Sequence, residues 1–161
     1  MFYPKIFPMS IAAASLLTLS YAAHGASTYT DTRGFAPTGL AISETAQINV
    51  ANVARASSSG TAASCTGTIS FLDASGNTIG TATSFTVTSG QIVFASLPYS
   101  STGASGRTVI RGLVQLTESS SSPTPCALSS SLEIFDTGTG VTHAVITAGG
   151  PGAGGPPGFG R

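Results

Sequence analysis

This sequence predicts an all-β fold, a single two-sheet antiparallel sandwich of about seven strands, and three observations predict it. From Phe35 onward polar and apolar residues alternate with period two. The alternating runs are punctuated by Gly, Ser, Asn and Asp, the residues of tight turns. No window beyond the amino-terminal segment sustains the apolar stripe of an amphipathic helix.

The strands are expected at 47–51, 68–72, 84–88, 91–94, 108–116, 128–135 and 141–146. Gln47, Ile48, Asn49, Val50 and Ala51 show the pattern: apolar side chains enter a core while Gln and Asn stay wet. In 108–116 the parity of Ile110, Val114 and Leu116 faces inward, which leaves Arg107 and Arg111 on the solvated face. Asp73 and Asp136 each open a turn, with Gly76 available for positive φ in the first and the stretch 136–140, with Gly138 and Gly140, doing the same job in the second, and a carboxylate that caps its own turn explains both positions. The two turns sit in an internal echo, Cys65 to Asp73 and Cys126 to Asp136, read as two related hairpins. Three Ser/Gly/Pro-rich stretches, 56–64, 100–106 and 119–125, are expected to be irregular and mobile.

The first 26 residues read as a cleaved secretory signal. Lys5 and the amino terminus make a short positive region, residues 9–23 are apolar, and small residues follow around Ala23 and Ala26. The apolar run is shorter than the roughly 20 residues of a spanning helix. Domain organisation is then signal 1–26, sandwich 27–148, and a disordered Gly/Pro-rich tail at 149–161 with almost nothing to bury.

Composition narrows function by exclusion. Only 7% of residues are charged, against roughly 25% in ordinary soluble domains. Once Lys5 leaves with the signal, five Arg face six Asp and Glu, a net charge near −1. So few cations cannot neutralise a run of phosphates, so no nucleic acid is expected as partner, nor stable membrane insertion after cleavage. The location expected is secreted, periplasmic or cell envelope.

The two cysteines, Cys65 and Cys126, both survive signal removal, and an oxidising compartment makes a disulfide the default. Two free thiols or half a metal site are the alternatives, but two cysteines alone supply no four-ligand zinc set. On unbroken strands Cys65 shares a face with Ile69 and Phe71, and Cys126 with Leu128, Leu132 and Ile134. Both sulfurs then point into one interior.

The order of these features resembles a group of small secreted bacterial proteins with Ig-like β-sandwich folds. The matching residues are the opening strand 46–53, the ending Phe71-Leu72-Asp73, the strand 107–111, and the ending Ile134-Phe135-Asp136, within residues 38–147. The resemblance implies an Ig-like fold and an exported location, and brings no activity and no catalytic residue.

Catalytic, cofactor-binding and metal sites are all expected to be none. His143, with Val141 and Val145 on its parity, has no ligand or nucleophile nearby in sequence and reads as a surface or edge residue. No Ser lies in Gly-x-Ser-x-Gly. Each Asp turn offers one carboxylate where a calcium loop needs several oxygens. Glu118 and Glu133 could form a glycosidase pair only if the fold brought them together. The reading is an exported non-enzymatic interaction or structural module of unknown partner. The alternatives are an extracellular carbohydrate-binding module or a strand-exchanging fimbrial-type subunit. Tyr29, Phe35, Tyr99 and Phe159 are the aromatics expected to be available to a sugar.

Amino-terminal sequencing of the exported protein should find the first residue between His24 and Ser27. Met1 on exported material would remove the signal reading.

Overall fold

The structure is a computed structural model that describes residues 28–55, 64–119 and 126–148. The expected signal segment, the Gly/Pro-rich tail and most of the first and third irregular stretches lie outside these residues. The described chain is all β apart from one 3₁₀ turn. Its strands are β1 (Thr28–Gly34), β2 (Thr38–Leu40), β3 (Glu44–Asn52), β4 (Ser64–Asp73), β5 (Thr78–Thr88), β6 (Ile92–Pro98), β7 (Thr108–Ser119), β8 (Leu128–Asp136) and β9 (Thr142–Thr147). Tyr99–Ser101 forms the 3₁₀ turn.

Two antiparallel sheets enclose one core in a sandwich-like arrangement. The first runs β1-β7-β4-β5, and β2 also pairs with β7 beyond the end of β1. The second runs β6-β3-β8-β9. All seven expected strands are present, as β3 to β9. β1 and β2 are additions. No side chain of β1 is buried, and β2 has only three residues, so neither carries the alternation that marks a strand.

Period two places the core. Ala46, Ile48 and Val50 of β3, with Leu132 and Ile134 of the neighbouring β8, share one buried cluster with Ile69 and Phe71 of β4 and Val114 and Leu116 of β7. Between β1 and β2 the chain leaves the ladder at Phe35, whose ring is buried while its N–H donates to Gly112 O at 3.0 Å. Gly112 is required there. A Cβ would lie 2.8 Å from the Phe35 ring and 2.7 Å from Ile48.

The register of β4 against β5 slips between Ile69 and Phe71. The extra residues are on β5, around Gly80 at positive φ, so β4 keeps its phase. Cys65, Ile69 and Phe71 are consequently all buried. Cys65 is bonded to Cys126, just ahead of β8, with Cα atoms 5.7 Å apart. The bridge joins a central strand of the first sheet to the entry of a central strand of the second.

Asn52, at the end of β3 and 1% exposed, is the polar counterpart of that tie. Its amide donates to Val87 O at 3.2 Å and to the Cys65 sulfur at 3.1 Å, and its Oδ1 accepts from Ala54 N at 3.0 Å. Its backbone bonds both Gln91 O and Gly90 N, closing the β5–β6 turn onto β3.

The expected Asp turns form as read. Asp73 Oδ1 accepts from the N–H groups of Ser75 and Asn77, both at 2.8 Å. Asp136 Oδ1 accepts from Gly138 N at 3.0 Å and Thr139 N at 2.7 Å. The stretch 100–106 is irregular, as expected, apart from the end of the 3₁₀ turn, and it is bonded to its own entry: Tyr99 OH is 2.8 Å from both Ala104 O and Gly106 O, and Thr102 donates back to Tyr99 O.

The disulfide closes a loop of 61 residues in sequence separation, for which chain entropy gives about 4 kcal/mol of stabilisation. The double variant Cys65→Ser, Cys126→Ser should lose about that much in denaturant unfolding, and a loss below about 1 kcal/mol would contradict the role given to the bridge.

Candidate functional site

Charged side chains from distant parts of the chain meet in one place, a crevice of about 310 Å³. It opens between β2 at the edge of the first sheet and β9 at the edge of the second, and is lined among others by Gly39, Glu44, Arg107, Ile134, His143 and Ala144. β9 reaches it through a bulge. Ile134 pairs with Ala144 and Phe135 with Thr142, so His143 is the extra residue on its strand.

His143 therefore has a partner after all. Its Nδ1 lies 2.7 Å from Glu44 Oε1 although 99 residues separate them. The other carboxylate oxygen of Glu44 accepts from Ala41 N at 2.7 Å, closing the β2–β3 connection. The bond from His143, followed by that from the Ala41 N–H, holds the Glu44 carboxyl below its ordinary value. The charges of His143 and Arg107 act in the same direction, against the opposing effect of burial. With Glu44 ionised and able only to accept, Nδ1 of His143 carries the proton of the pair, and Nε2 has no partner among the described residues. Sequence reasoning missed the pair because only the order of strands in the second sheet brings β3 and β9 together.

Arg107, immediately before β7, lies over the backbone of β2. A Cβ on Gly39 would sit 2.4 Å from its Nε. Its guanidinium has no hydrogen-bond or ion-pair partner among the described residues. Arg111 is exposed on the outward parity of β7, as expected, in a separate crevice with Asp73 and Val109.

The other sequence candidates are dispersed. Glu118 is on β7 and takes the hydroxyl of Tyr29 across the β1–β7 pair, which holds the Tyr29 hydroxyl above its ordinary value. Glu133 is on β8, in the other sheet, and takes the hydroxyl of Thr142. The two glutamates are thus on different sheets, each bound to a neighbour in its own. No group of three or more His, Cys, Asp or Glu that could hold a metal occurs among the described residues.

The aromatic expectation needs correction. Phe35 and Tyr99 are core residues, 3% and 8% exposed, and Phe159 lies outside the described residues. Tyr29 is exposed, and so is Phe94 at 63%, beside Ile92 on the outer face of β6. Phe94 is outward because it falls on the parity opposite to Ala95 and Leu97, which the alternation of β6 already contained.

No family model matches this chain, nor does any curated protein or solved structure.

Glu44, Asp73 and Asp136 all have lowered values, the last two chiefly through N–H groups of their own turns. A depressed folded value means stability that is complete above the ordinary values of 4.5 and 3.8 and is lost as pH falls through the folded ones. Denaturant midpoints should therefore be flat above about pH 5 and drop steadily toward about pH 3. Glu44→Gln should make that drop shallower; an unchanged acid slope would mean that the pair with His143 does not form in solution.

Proposed function

We propose that this chain is an exported, non-enzymatic Ig-like β-sandwich that works through its surface, as a secreted or envelope-associated interaction or structural module. One observation carries the reading. All six carboxylates beyond the signal segment are engaged by their own scaffold: Asp31 by Arg33, Glu44 by Ala41 and His143, Asp73 and Asp136 by their turns, Glu118 by Tyr29, and Glu133 by Thr142. Catalysis by a carboxylate needs one held ready for a substrate, and here each carboxylate side chain already has a partner in the scaffold.

The signal-like leader and the Cys65–Cys126 bridge support export, since structural disulfides persist in oxidising compartments. No helix among the described residues is long and apolar enough to cross a membrane. A carbohydrate-binding role is the second reading. The crevice favours it, because the Arg107 guanidinium and Nε2 of His143 have no partner among the described residues.

The test is fractionation followed by add-back. The protein should be recovered outside the cytoplasm with both cysteines oxidised, and the purified chain should sediment saturably with washed cell envelopes. Cytoplasmic recovery with two titratable thiols would overturn export, and absence of saturable retention would overturn the interaction role.

A further inference from the structure

We infer that the crevice between β2 and β9 binds a single carboxylate carried on a small hydroxylated body, a uronic acid residue being the ligand class. The inference rests on the reading of the chain as an exported binding module and assigns that module a site.

The anionic end of the ligand follows from Arg107. A guanidinium presents five N–H donors in a planar fork that matches a carboxylate with two parallel bonds. In Arg107 those donors have no acceptor among the described residues. Arg33 shows the contrast, since it bonds Asp31 at 3.1 Å and Leu128 O at 2.6 Å. Glu44, the carboxylate that lines the same crevice, already has both oxygens accepting from Ala41 and His143. Gly39 lets the guanidinium lie close to the β2 backbone at one wall of the crevice, where a side chain at that position would displace it.

The charge of the ligand follows from Glu44. Its ionised carboxylate lines the same crevice, so a phosphate or sulfate dianion would meet more repulsion there than a singly charged carboxylate does. The hydroxyl follows from His143. The bond to Glu44 occupies Nδ1 and leaves Nε2 to a hydroxyl, a group that can either donate to or accept from a ring nitrogen. Ile134 and Ala144 supply an apolar wall for C–H groups. A volume of about 310 Å³ is at the small end of ligand pockets, roughly 300–1,000 Å³. It suits one sugar ring, at a chain end or free.

The experiment is a titration of the full mature chain, followed by backbone amide NMR, with D-glucuronate, D-glucose, acetate and inorganic phosphate as probes. Glucuronate should give saturable shifts at Glu44, Arg107, His143 and Ala144, with at least tenfold weaker binding of the other three probes. Arg107→Gln, an exposed change that leaves the core untouched, should weaken glucuronate at least tenfold, and His143→Phe should weaken glucuronate but not acetate. Absence of saturable glucuronate shifts, equal affinity in Arg107→Gln, or equal affinity for acetate would each overturn the assignment. Envelope retention separates this failure from that of the module itself. If glucuronate does not bind yet the wild-type chain still sediments saturably with envelopes, the crevice is rejected and the module stands; if neither occurs, both fall.

Discussion

The rest of the structure depends on a covalent tie between the sheets. Cys65 is fully buried on β4, and Cys126 stands at the entry to β8, so the bridge fixes how the two sheets face one another where the hydrophobic contact is made. Asn52 places a third strand in the same assembly. From β3 in the second sheet it bonds the Cys65 sulfur and the carbonyl of Val87 in the first. A buried amide with several partners is a directional constraint that packing alone does not provide. The bridge limits how far the sheets can separate, and Asn52 sets the register in which they meet.

That constraint matters because the core has little else to specify it. Its large residues are mostly aliphatic, with Phe35, Phe71, Phe85 and Tyr99 the only buried rings among the described residues. Two glycines make the close approaches possible: Gly112, under Phe35 and Ile48, and Gly67, where a Cβ would lie 2.2 Å from the carbonyl of Gln115. Against this close packing stands Ser130, whose buried hydroxyl has no partner among the described residues. A hydroxyl so placed costs on the order of 1–3 kcal/mol of desolvation. Such a core tolerates a local loss because its topology is held elsewhere.

Much of this was legible in the sequence. Alternation located β3 to β9, parity assigned Ile110, Val114 and Leu116 to the interior, and the cysteine pair and the Asp turns followed from residue chemistry. What escaped has a common cause. β1 is a strand because β7 offers it a ladder from Leu113 to Ser119, not because Thr28–Gly34 has a face to bury. The pairing of Glu44 with His143 spans 99 residues and needs both the strand order β3-β8-β9 and the β9 bulge. Phe35 reads as an available aromatic until Gly112 opens a space for it. Periodicity reports what one segment does with its own two faces and is silent on what another segment leaves for it to fill.

The scarcity of charge is the physical background of the crevice. The outer face of the first sheet stays wet with few charges. Its register aligns Thr30, Thr117, Thr66 and Thr86 in one row across four strands, and Thr32, Gln115, Thr68 and Ser84 in the next. Cross-strand threonines suit a pleated surface and hydrate it through hydroxyls alone. In the second sheet Gln47, Asn49 and Ser131 serve the same purpose between β3 and β8, beside Glu133. Carboxylates are then reserved for turns, strand pairs and the Glu44–His143 contact. On such a surface an arginine without an acceptor is not one charge among many, as it would be on an ordinary domain. At Arg107 it combines with an imidazole already bonded through Nδ1 and with a concave apolar wall, whereas the crevice of Arg111 holds no imidazole and its carboxylate, Asp73, caps its own turn.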